Sequence, residues 1–419
     1  MTPKAFPALP SPIKTLAVVA MSVAVIAAAC TSDDEPDTSS DAGAQQQAAP
    51  QAQAVDIPGT DAEVAAVGSR FAISRVDRGT KPDIVFDSEG TPLIAYMLER
   101  EGDAGWVKVA NADGSNVQLL QSGYLYGPLD IEAAPDGRVV VGYHDHDNED
   151  GAIAVRNGND WSVSVVPHDG HDGWDSAVAY GLNGEIYYLG IDPSQFGSAS
   201  GVELATLKDD VWTVREIGSG PQPYEWGVDL ATTSDGAPVA LFFDSSTRNL
   251  VFGVDQGRGF VLNDIFTQGD AGRFAVMALD DNDLAHVAFF QSDSDVADTG
   301  LAPGNIIYGA QAADSTWSFE IVGSIDNQIL GHTDARRTVA IALNGDEPVI
   351  AYIDTQTLTL ATRNSSEPWT TEIVAESDGN DLQVVGLALD GSGRSHLTYS
   401  TVTSNGPLDG EVWYAAPAS

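Results

Sequence analysis

The sequence contains a single cysteine, Cys30, among its 419 residues. One thiol cannot form an internal disulfide, and it excludes a zinc cluster built from several thiolates. Basic residues are also scarce: 19 Lys and Arg stand against 61 Asp and Glu, which gives a formal net charge of −42. Because a surface this acidic repels phosphate backbones and anionic lipid headgroups, the sequence predicts no binding to nucleic acid.

Long apolar runs are missing too, apart from one stretch near the N-terminus. Residues 16–29 are apolar, follow Lys4 and Lys14, and end in small residues directly before Cys30. A run of about fourteen residues is shorter than the ~20 that span a bilayer. The pattern therefore predicts a signal peptide over residues 1–29 and no spanning helix.

The six residues VIAAAC, 25–30, resemble the lipobox of bacterial lipoproteins, with Ala27 where that family usually carries Leu. The resemblance implies that Cys30 is diacylated after export and becomes the mature N-terminus; the alternative is an ordinary signal peptide with an incidental cysteine. Since Thr31 is not the Asp that favours inner-membrane retention in enteric bacteria, we expect attachment to the outer membrane or cell surface in a host with two membranes. Residues 30–66, acidic and then rich in Ala and Gln, are predicted to be a disordered tether.

Seven later segments share one plan: an apolar strand, a turn that often holds Asp and Gly, and a second strand that ends in an aromatic residue. The plan is clear in residues 131–145, 227–244 and 337–354. The residue predicted to open each second strand serves as a marker, at Gly90, Gly137, Gly184, Gly236, Asp283, Asp346 and Gly393. Successive markers are 47, 47, 52, 47, 63 and 47 residues apart, which indicates a repeat architecture.

Four short strands per repeat of this length are typical of a β-propeller blade. The sequence therefore predicts an all-β fold, a single seven-bladed β-propeller of four-stranded blades over residues 67–419. The last repeat ends after three strands, and residues 69–77 form an isolated strand before the first repeat. We expect this N-terminal strand to complete the seventh blade, because ring closure removes exposed sheet edges.

Two aromatic positions recur in the repeats. An aromatic residue stands six residues after the marker in six copies, at Tyr96, Tyr143, Phe242, Phe289, Tyr352 and Tyr399, with Gly190 in the remaining copy. A tryptophan begins four of the predicted fourth strands, at Trp161, Trp212, Trp317 and Trp369. We expect the first set to pack in the core and the tryptophans to pack between blades without contacting a ligand.

Over about residues 69–417 the repeat architecture resembles the broad set of sialidase-like and other bacterial extracellular propellers. The Asp-box of sialidases, which lies between the third and fourth strands, does not recur in this sequence. The sialidase arginine triad also has no residue-by-residue match. The resemblance therefore implies the fold and carries over no sialidase activity.

Function is expected on one face of the propeller, because every long insertion falls in the loops between second and third strands or in the connections between blades. Ten residues before each marker, at the predicted mouth of the central channel, stand Thr80, Gly127, Trp174, Trp226, Arg273, Arg336 and Gln383. Aromatic rings stack on sugar rings, and the guanidinium group of arginine binds carboxylates through two parallel hydrogen bonds. The candidate ligand-binding residues are Trp174, Tyr224, Trp226, Arg273, Arg336 and Arg337; the alternative is that they cap the channel and offset its acidity.

Histidines give a second candidate site, since five of the seven lie in these same loops. Imidazole and carboxylate groups are ligands for divalent metals, and the oxygen-rich stretch 147–150 suits calcium as well as zinc. The candidate metal ligands are His144, His146, Asp147, His168 and His171. The alternative is a set of solvated acidic turns, because H-x-H and H-x-x-H are weak spacings outside a known scaffold.

No catalytic signature of a hydrolase or of a nucleotide-binding loop is present. The sequence accordingly favours a non-enzymatic, surface-tethered propeller, expected to be a monomer, that binds a carbohydrate, peptide or protein ligand. A secreted polysaccharide-directed hydrolase or lyase on the same scaffold is the alternative, because carboxylate pairs are abundant.

Overall fold

A computed structural model describes residues 63–64, 70–98, 105–167, 173–192, 201–219, 227–292, 301–329, 337–354, 356–363, 368–377, 381–402 and 410–418. The regular structure of these residues is all β-strand. They include no helix that is long and apolar enough to pass through a membrane. The predicted signal peptide, Cys30 and most of the predicted tether lie outside the described residues.

Two strands precede the first blade: β1 (Glu63–Val64) and β2 (Phe71–Arg78). Each of the first six blades then follows as four consecutive antiparallel strands. Blades one and two comprise β3 (Thr80–Phe86), β4 (Pro92–Leu98), β5 (Gly105–Asn111), β6 (Gln118–Gly123), β7 (Leu125–Ala133), β8 (Val139–Asp145), β9 (Asp150–Asn157) and β10 (Asp160–Val165). Blades three and four comprise β11 (Ser176–Tyr180), β12 (Ile186–Asp192), β13 (Gly201–Lys208), β14 (Val211–Ser219), β15 (Val228–Thr232), β16 (Pro238–Asp244), β17 (Asn249–Asp255) and β18 (Phe260–Phe266). Blades five and six comprise β19 (Asp270–Leu279), β20 (Ala285–Ser292), β21 (Leu301–Gln311), β22 (Trp317–Ile329), β23 (Val339–Asn344), β24 (Glu347–Asp354), β25 (Thr357–Thr362) and β26 (Thr370–Glu376).

The seventh blade closes the ring as predicted. Its inner three strands are β27 (Asp381–Leu389), β28 (Ser395–Val402) and β29 (Glu411–Pro417), and its outer strand is β2 from the other end of the propeller. β2 runs antiparallel to β29, from Phe71 opposite Pro417 to Arg78 opposite Glu411. β1 adds a short parallel edge to blade six beside β26, within the last part of the predicted tether.

The first strands of successive blades line the central axis, because β3, β7, β11, β15, β19, β23 and β27 contact one another in turn around the ring. Each first strand begins at the face where the loops between second and third strands and the connections between blades emerge, here called the insertion-bearing face. The opposite face carries the short turns between first and second strands and is called the short-turn face. The two faces offer different chemistry, because only the first carries long loops.

The marker residues lie in the turns before the second strands, so the predicted strand starts are two residues too early in most blades. β4, for example, begins at Pro92, two residues after Gly90. The Gly90 N–H bonds to the Asp87 carbonyl (2.8 Å), and the glycine has a φ of 76°. A positive φ at this point of a three-residue hairpin loop favours glycine, which explains why most markers are glycines.

The recurring aromatic residues pack where the sequence predicts. All six at the register after the marker are at most 7% exposed. The tryptophans of the outer strands contact the preceding blade: Trp161 Nε1 donates to Gln118 (2.6 Å), and Trp212 Nε1 donates to Ser164 (3.0 Å). Trp317 packs edge-on against Phe252 with ring centroids 5.3 Å apart. The apolar core therefore lies between adjacent blades, and each blade is stabilised by its neighbours.

Candidate functional site

Much of the insertion-bearing face falls outside the described residues. Five of the site residues predicted from the sequence lie outside the described residues: Tyr224, Trp226, Arg336, His168 and His171. The assignments of these residues stay predictions. The structure does describe Trp174, Arg273, Arg337, His144, His146 and Asp147.

Trp174 lies at the start of blade three and is 7% exposed, so it forms a floor beneath the face. Its ring is surrounded by aromatic rings of blade two. The centroid distances are 5.7 Å to Tyr126, 5.8 Å to His144 and 6.1 Å to His146. Two of these contacts are edge-to-face, an arrangement that aromatic rings favour because the edge of one ring is positive and the face of the other is negative.

A second layer of rings covers this floor and reaches the surface. Tyr124 packs edge-on against His146 with centroids 4.3 Å apart, and both residues are partly exposed. The His146 Nδ1 lies 3.2 Å from Nε2 of the buried His144. Tyr124, Tyr126, His144, His146 and Trp174 are together called the aromatic cluster. The cluster brings three partly exposed rings to the junction of blades two and three, on the insertion-bearing face.

The acidic residues beside the cluster hold its loop in shape. Asp145 is 1% exposed, and its Oδ2 accepts hydrogen bonds from Gln121 (2.5 Å) and Asn148 (2.7 Å). The Asp147 Oδ2 accepts the backbone N–H of Tyr124 at 2.9 Å. These bonds link the loop after β8 to the strand connection before β7. They position Tyr124 and His146 relative to each other.

Of the candidate metal ligands that the structure describes, only His144 and His146 lie next to each other. The Asp147 carboxylate instead accepts a hydrogen bond from the backbone of Tyr124. Within the described part of the chain, no three His, Cys, Asp or Glu side chains are arranged to hold a metal ion. His168 and His171 lie outside that part, so a divalent metal such as calcium or zinc stays a prediction.

Arg273 is buried at the start of blade five, 6% exposed. Its guanidinium lies over the ring of Phe243, 5.2 Å from the centroid. A cation over an aromatic face is attracted by the negative charge of the ring, and burial strengthens that attraction. In this structure, Arg273 therefore joins blades four and five.

Arg337 extends from blade six into the central channel. It donates from Nη1 to Asp130 of blade two (3.2 Å) and from Nη2 to the carbonyl of Ser176 in blade three (3.1 Å). Burial opposes the charge of the guanidinium, but the attraction of Asp130, Asp229, Asp175 and Asp83 outweighs burial and raises the pKa of Arg337. The arginine is therefore a cation held among channel carboxyl groups.

The channel carboxyl groups connect neighbouring blades. The Asp130 Oδ2 accepts the N–H of Val178 at 2.7 Å, and the Asp229 Oδ2 accepts the N–H of Met277 at 2.6 Å. The two bonds have the same sequence separation of 48 residues, which is one blade. Buried backbone groups require such partners, and a bond to a charged acceptor is stronger than a neutral one.

Crowding of these carboxyl groups raises their affinity for protons. Burial and repulsion from Asp130 raise the pKa of Asp83, against the lowering influence of Arg337. Burial raises the pKa of Asp229 to about 7. Glu132 of the same strand as Asp130 is solvent-exposed, yet partial loss of hydration and repulsion from Asp130 raise its pKa above the usual value. The channel thus carries less negative charge at neutral pH than its composition suggests.

Sequence reasoning missed Tyr124, Tyr126 and the channel carboxyl groups. Asp83, Asp130 and Asp229 each stand seven residues before a marker, so their shared register was a signal that could have identified them. Tyr124 and Tyr126 follow no repeat register and become recognisable only through their contacts with His146 and Trp174.

No family model matches the sequence, and no curated protein matches it. Among solved structures, an alpha-L-arabinanase of Penicillium chrysogenum complexed with arabinobiose is 11% identical, with a TM-score of 0.47 over 70% of this chain and 93% of that one. An Aleuria aurantia lectin in complex with alpha-methyl-L-fucoside is 11% identical, with a TM-score of 0.44 over 74% and 97%. A protein of unknown function from Dyadobacter fermentans is 10% identical, with a TM-score of 0.46 over 82% and 96%.

Proposed function

We propose that this protein is a surface-tethered β-propeller that binds a carbohydrate through the aromatic cluster on its insertion-bearing face. The observation that carries the proposal is the convergence of Tyr124, Tyr126 and His146, all partly exposed, over the buried rings of His144 and Trp174. Rings that are already packed lose little conformational entropy when a sugar stacks on them, which favours binding. The tyrosine hydroxyl and imidazole groups add polar contacts that fix the orientation of a ligand.

The channel favours binding over hydrolysis. A hydrolase of polysaccharides needs two carboxyl groups available to the scissile bond. Here the Asp130 oxygens bond to Arg337 and Val178, and the Asp229 oxygens accept the N–H groups of Leu230 and Met277. Since Asp130 and Asp229 serve to join blades, a non-catalytic role fits these two groups best.

The tether and the lipid at Cys30 complete the proposal. A lipid-anchored propeller carried on a flexible segment would present its face to extracellular glycans or to glycoconjugates of other cells. A single lipid-modified terminus attaches the protein without a spanning helix.

The test is a glycan array, followed by affinity measurements on variants of the protein. Tyr124→Ala and His146→Ala should each weaken binding of the glycan that the array identifies by about thirtyfold, which corresponds to ~2 kcal/mol. Tyr180→Ala is the matched control, because Tyr180 is also a half-buried tyrosine but lies at the short-turn end of β11. The Tyr180→Ala variant should bind the glycan with unchanged affinity.

A screen for release of reducing ends from polysaccharides accompanies the array. Saturable binding without release supports the proposal. Release of reducing ends would instead favour the hydrolase, and equal loss of binding in all three variants would move the site away from the aromatic cluster.

A further inference from the structure

A cleft of about 530 Å³ opens between blades six and seven on the short-turn face. Ligand pockets in proteins commonly measure ~300–1,000 Å³, so the volume suits a small molecule. Its walls come from the turn end of β24, the end of β25, the start of β28 and the junction of β2 with β29. The cleft is thus on the face opposite to the aromatic cluster and shares no residue with it.

The way the ring closes explains why space remains there. In the first six blades a chain connection joins the third strand to the fourth on the short-turn face. In blade seven the fourth strand is β2, so Pro417 and Phe71 are paired across the seam without a connecting turn. The Ala418 N–H bonds to the Arg70 carbonyl at the end of this pair. Among the described residues, no turn fills the region beside blade six.

Three arginines from separate segments line the cleft: Arg70, Arg363 and Arg394. This concentration stands out in a chain with 19 basic and 61 acidic residues. Because an arginine side chain presents five N–H donors in a planar fork, one fork can bind a protein carboxylate on one edge and a ligand on another.

Each of the three guanidinium groups donates to a carboxylate that does not line the cleft. The Arg70 Nε donates to Glu372 at 2.7 Å, and the Arg394 Nε donates to Asp390 at 2.8 Å. Arg363 bonds to Glu320. These contacts orient the guanidinium groups while leaving N–H donors on each that no described residue accepts.

Arg363 is the most enclosed of the three. Its guanidinium lies over the rings of Tyr308 and Trp369, 5.1 and 5.0 Å from their centroids. The Nε–H of Arg363 is buried and has no acceptor among the described residues. The two rings hold the Arg363 guanidinium in place at the wall of the cleft.

The remaining polar walls define the ligand further. Glu347, Asn344, Thr362 and Ser395 also line the cleft. Glu347 only accepts hydrogen bonds when ionised, so a polyanion would be repelled there, whereas sugar hydroxyl groups would donate to it. Buried Val349 and Leu360 add an apolar wall for a ring.

We propose that this cleft, here called the seam cleft, is a second ligand site that binds a uronic acid residue, with its carboxylate on the arginine forks and its hydroxyl groups on Glu347, Asn344 and Thr362. The proposal stands on residues separate from those of the aromatic cluster, so either site can fail without the other.

The experiment is calorimetric titration of the purified full-length protein with D-glucuronate, D-galacturonate and D-mannuronate. D-glucose and inorganic phosphate are titrated in parallel as the uncharged sugar and the anion without a sugar ring. Saturable binding of at least one uronate, tighter than of glucose and phosphate, is expected. Failure of all three uronates to bind, or tighter binding of phosphate, would overturn the proposal.

Variants locate the site. Arg394→Gln and Arg70→Gln should each weaken uronate binding about tenfold, since each removes charge-assisted hydrogen bonds. Arg138→Gln is the matched control: Arg138 follows its marker as Arg394 does and bonds to Asp136 in its own turn (2.9 Å), but lies in blade two. Tyr124→Ala should leave uronate binding unchanged. Equal loss in Arg138→Gln, or loss in Tyr124→Ala, would overturn the assignment to the seam cleft.

Discussion

Arg337 of blade six and Asp130 of blade two form an ion pair across the central channel, 3.2 Å between Nη1 and Oδ1, although 207 residues separate them in sequence. Such a pair fixes the distance between opposite sides of the ring. It also places the guanidinium charge among Asp83, Asp175 and Asp229. The sequence predicted Arg337 as a ligand-binding residue, and that role stays a prediction. In the structure, Arg337 is bonded to Asp130 of the same chain.

We expect Arg337→Met to lower the free energy of unfolding by about 3–5 kcal/mol, because removal of one partner leaves Asp130 buried without a counter-charge. Chemical denaturation at pH 8 measures the effect. Arg138→Met is the control: its pair with Asp136 is at the surface and should contribute at most about 1 kcal/mol. Similar losses in the two variants would contradict a structural role for the channel pair.

The pKa of Asp229 predicts a particular dependence of stability on pH. Burial raises this pKa to about 7, whereas an unfolded Asp titrates near ~4. Between those values the folded protein holds a proton that the unfolded chain has lost, so stability falls as pH rises from about 4 to about 7. Asp229→Asn should remove this part of the slope, up to about 1.4 kcal/mol per pH unit, while the amide oxygen still accepts the Met277 N–H.

The control for this measurement is Asp235→Asn. A hydrogen bond from Thr233 lowers the pKa of Asp235, so this group is ionised in both states above about pH 4. Its replacement can shift stability uniformly but should leave the slope between pH 5 and 7 unchanged. Because Asp83 also has a raised pKa, some slope should remain in Asp229→Asn. A slope equal to that of the unsubstituted protein would show that Asp229 does not contribute to it.

The fold was predictable because packing repeats. Tyr96 and Tyr143 occupy equivalent core positions, and a position that every blade must fill leaves a trace in the sequence at a fixed interval. The closing strand was predictable as well, since Val76 and its neighbours form a predicted strand that precedes the first repeat and belongs to none. Sequence periodicity therefore determined the number of blades and the closure of the ring.

The sites were less predictable because they break the repeat. The pair of Arg337 with Asp130 depends on the diameter of the closed ring, which no interval in the sequence records. Tyr124 joins the aromatic cluster through a loop that is particular to blade two. The seam cleft exists because blade seven lacks a turn, so its arginines come from segments as distant as Arg70 and Arg394.

Trp174 is predicted to contribute to stability as well as to the candidate site. Because it is 7% exposed and packs against Tyr126 and His144, Trp174→Ala should cost about 3–5 kcal/mol of unfolding free energy. Tyr124→Ala, which removes a partly exposed ring of the same cluster, should cost far less. Thermal denaturation of both variants distinguishes them, and equal melting temperatures would mean that Trp174 is not part of the floor.

Lipid attachment at Cys30 is a prediction from the sequence alone. Cys30→Ser should release the protein from membranes, because the prediction makes the Cys30 thiol the acceptor of the lipid and the apolar run before it is too short to span a bilayer. Fractionation of cells that express each form, followed by detection of the protein in the membrane and soluble fractions, measures the change. Membrane association that survives the substitution would rule out this anchor.

Ring closure by β2 is testable with two substitutions in the same strand. Val76 is 8% exposed and packs with Tyr96, Val412 and Tyr414 at the seam, whereas Ile73 is 41% exposed. Val76→Asp places a charge among those apolar side chains, where it loses hydration, so the melting temperature should fall by many degrees. Ile73→Asp adds the same charge at a solvent-exposed position of the strand and should change the melting temperature little. Because both variants keep the strand and its length, a large loss confined to Val76→Asp would show that β2 is held by its buried side; comparable small shifts would mean that the ring is stable without this contact.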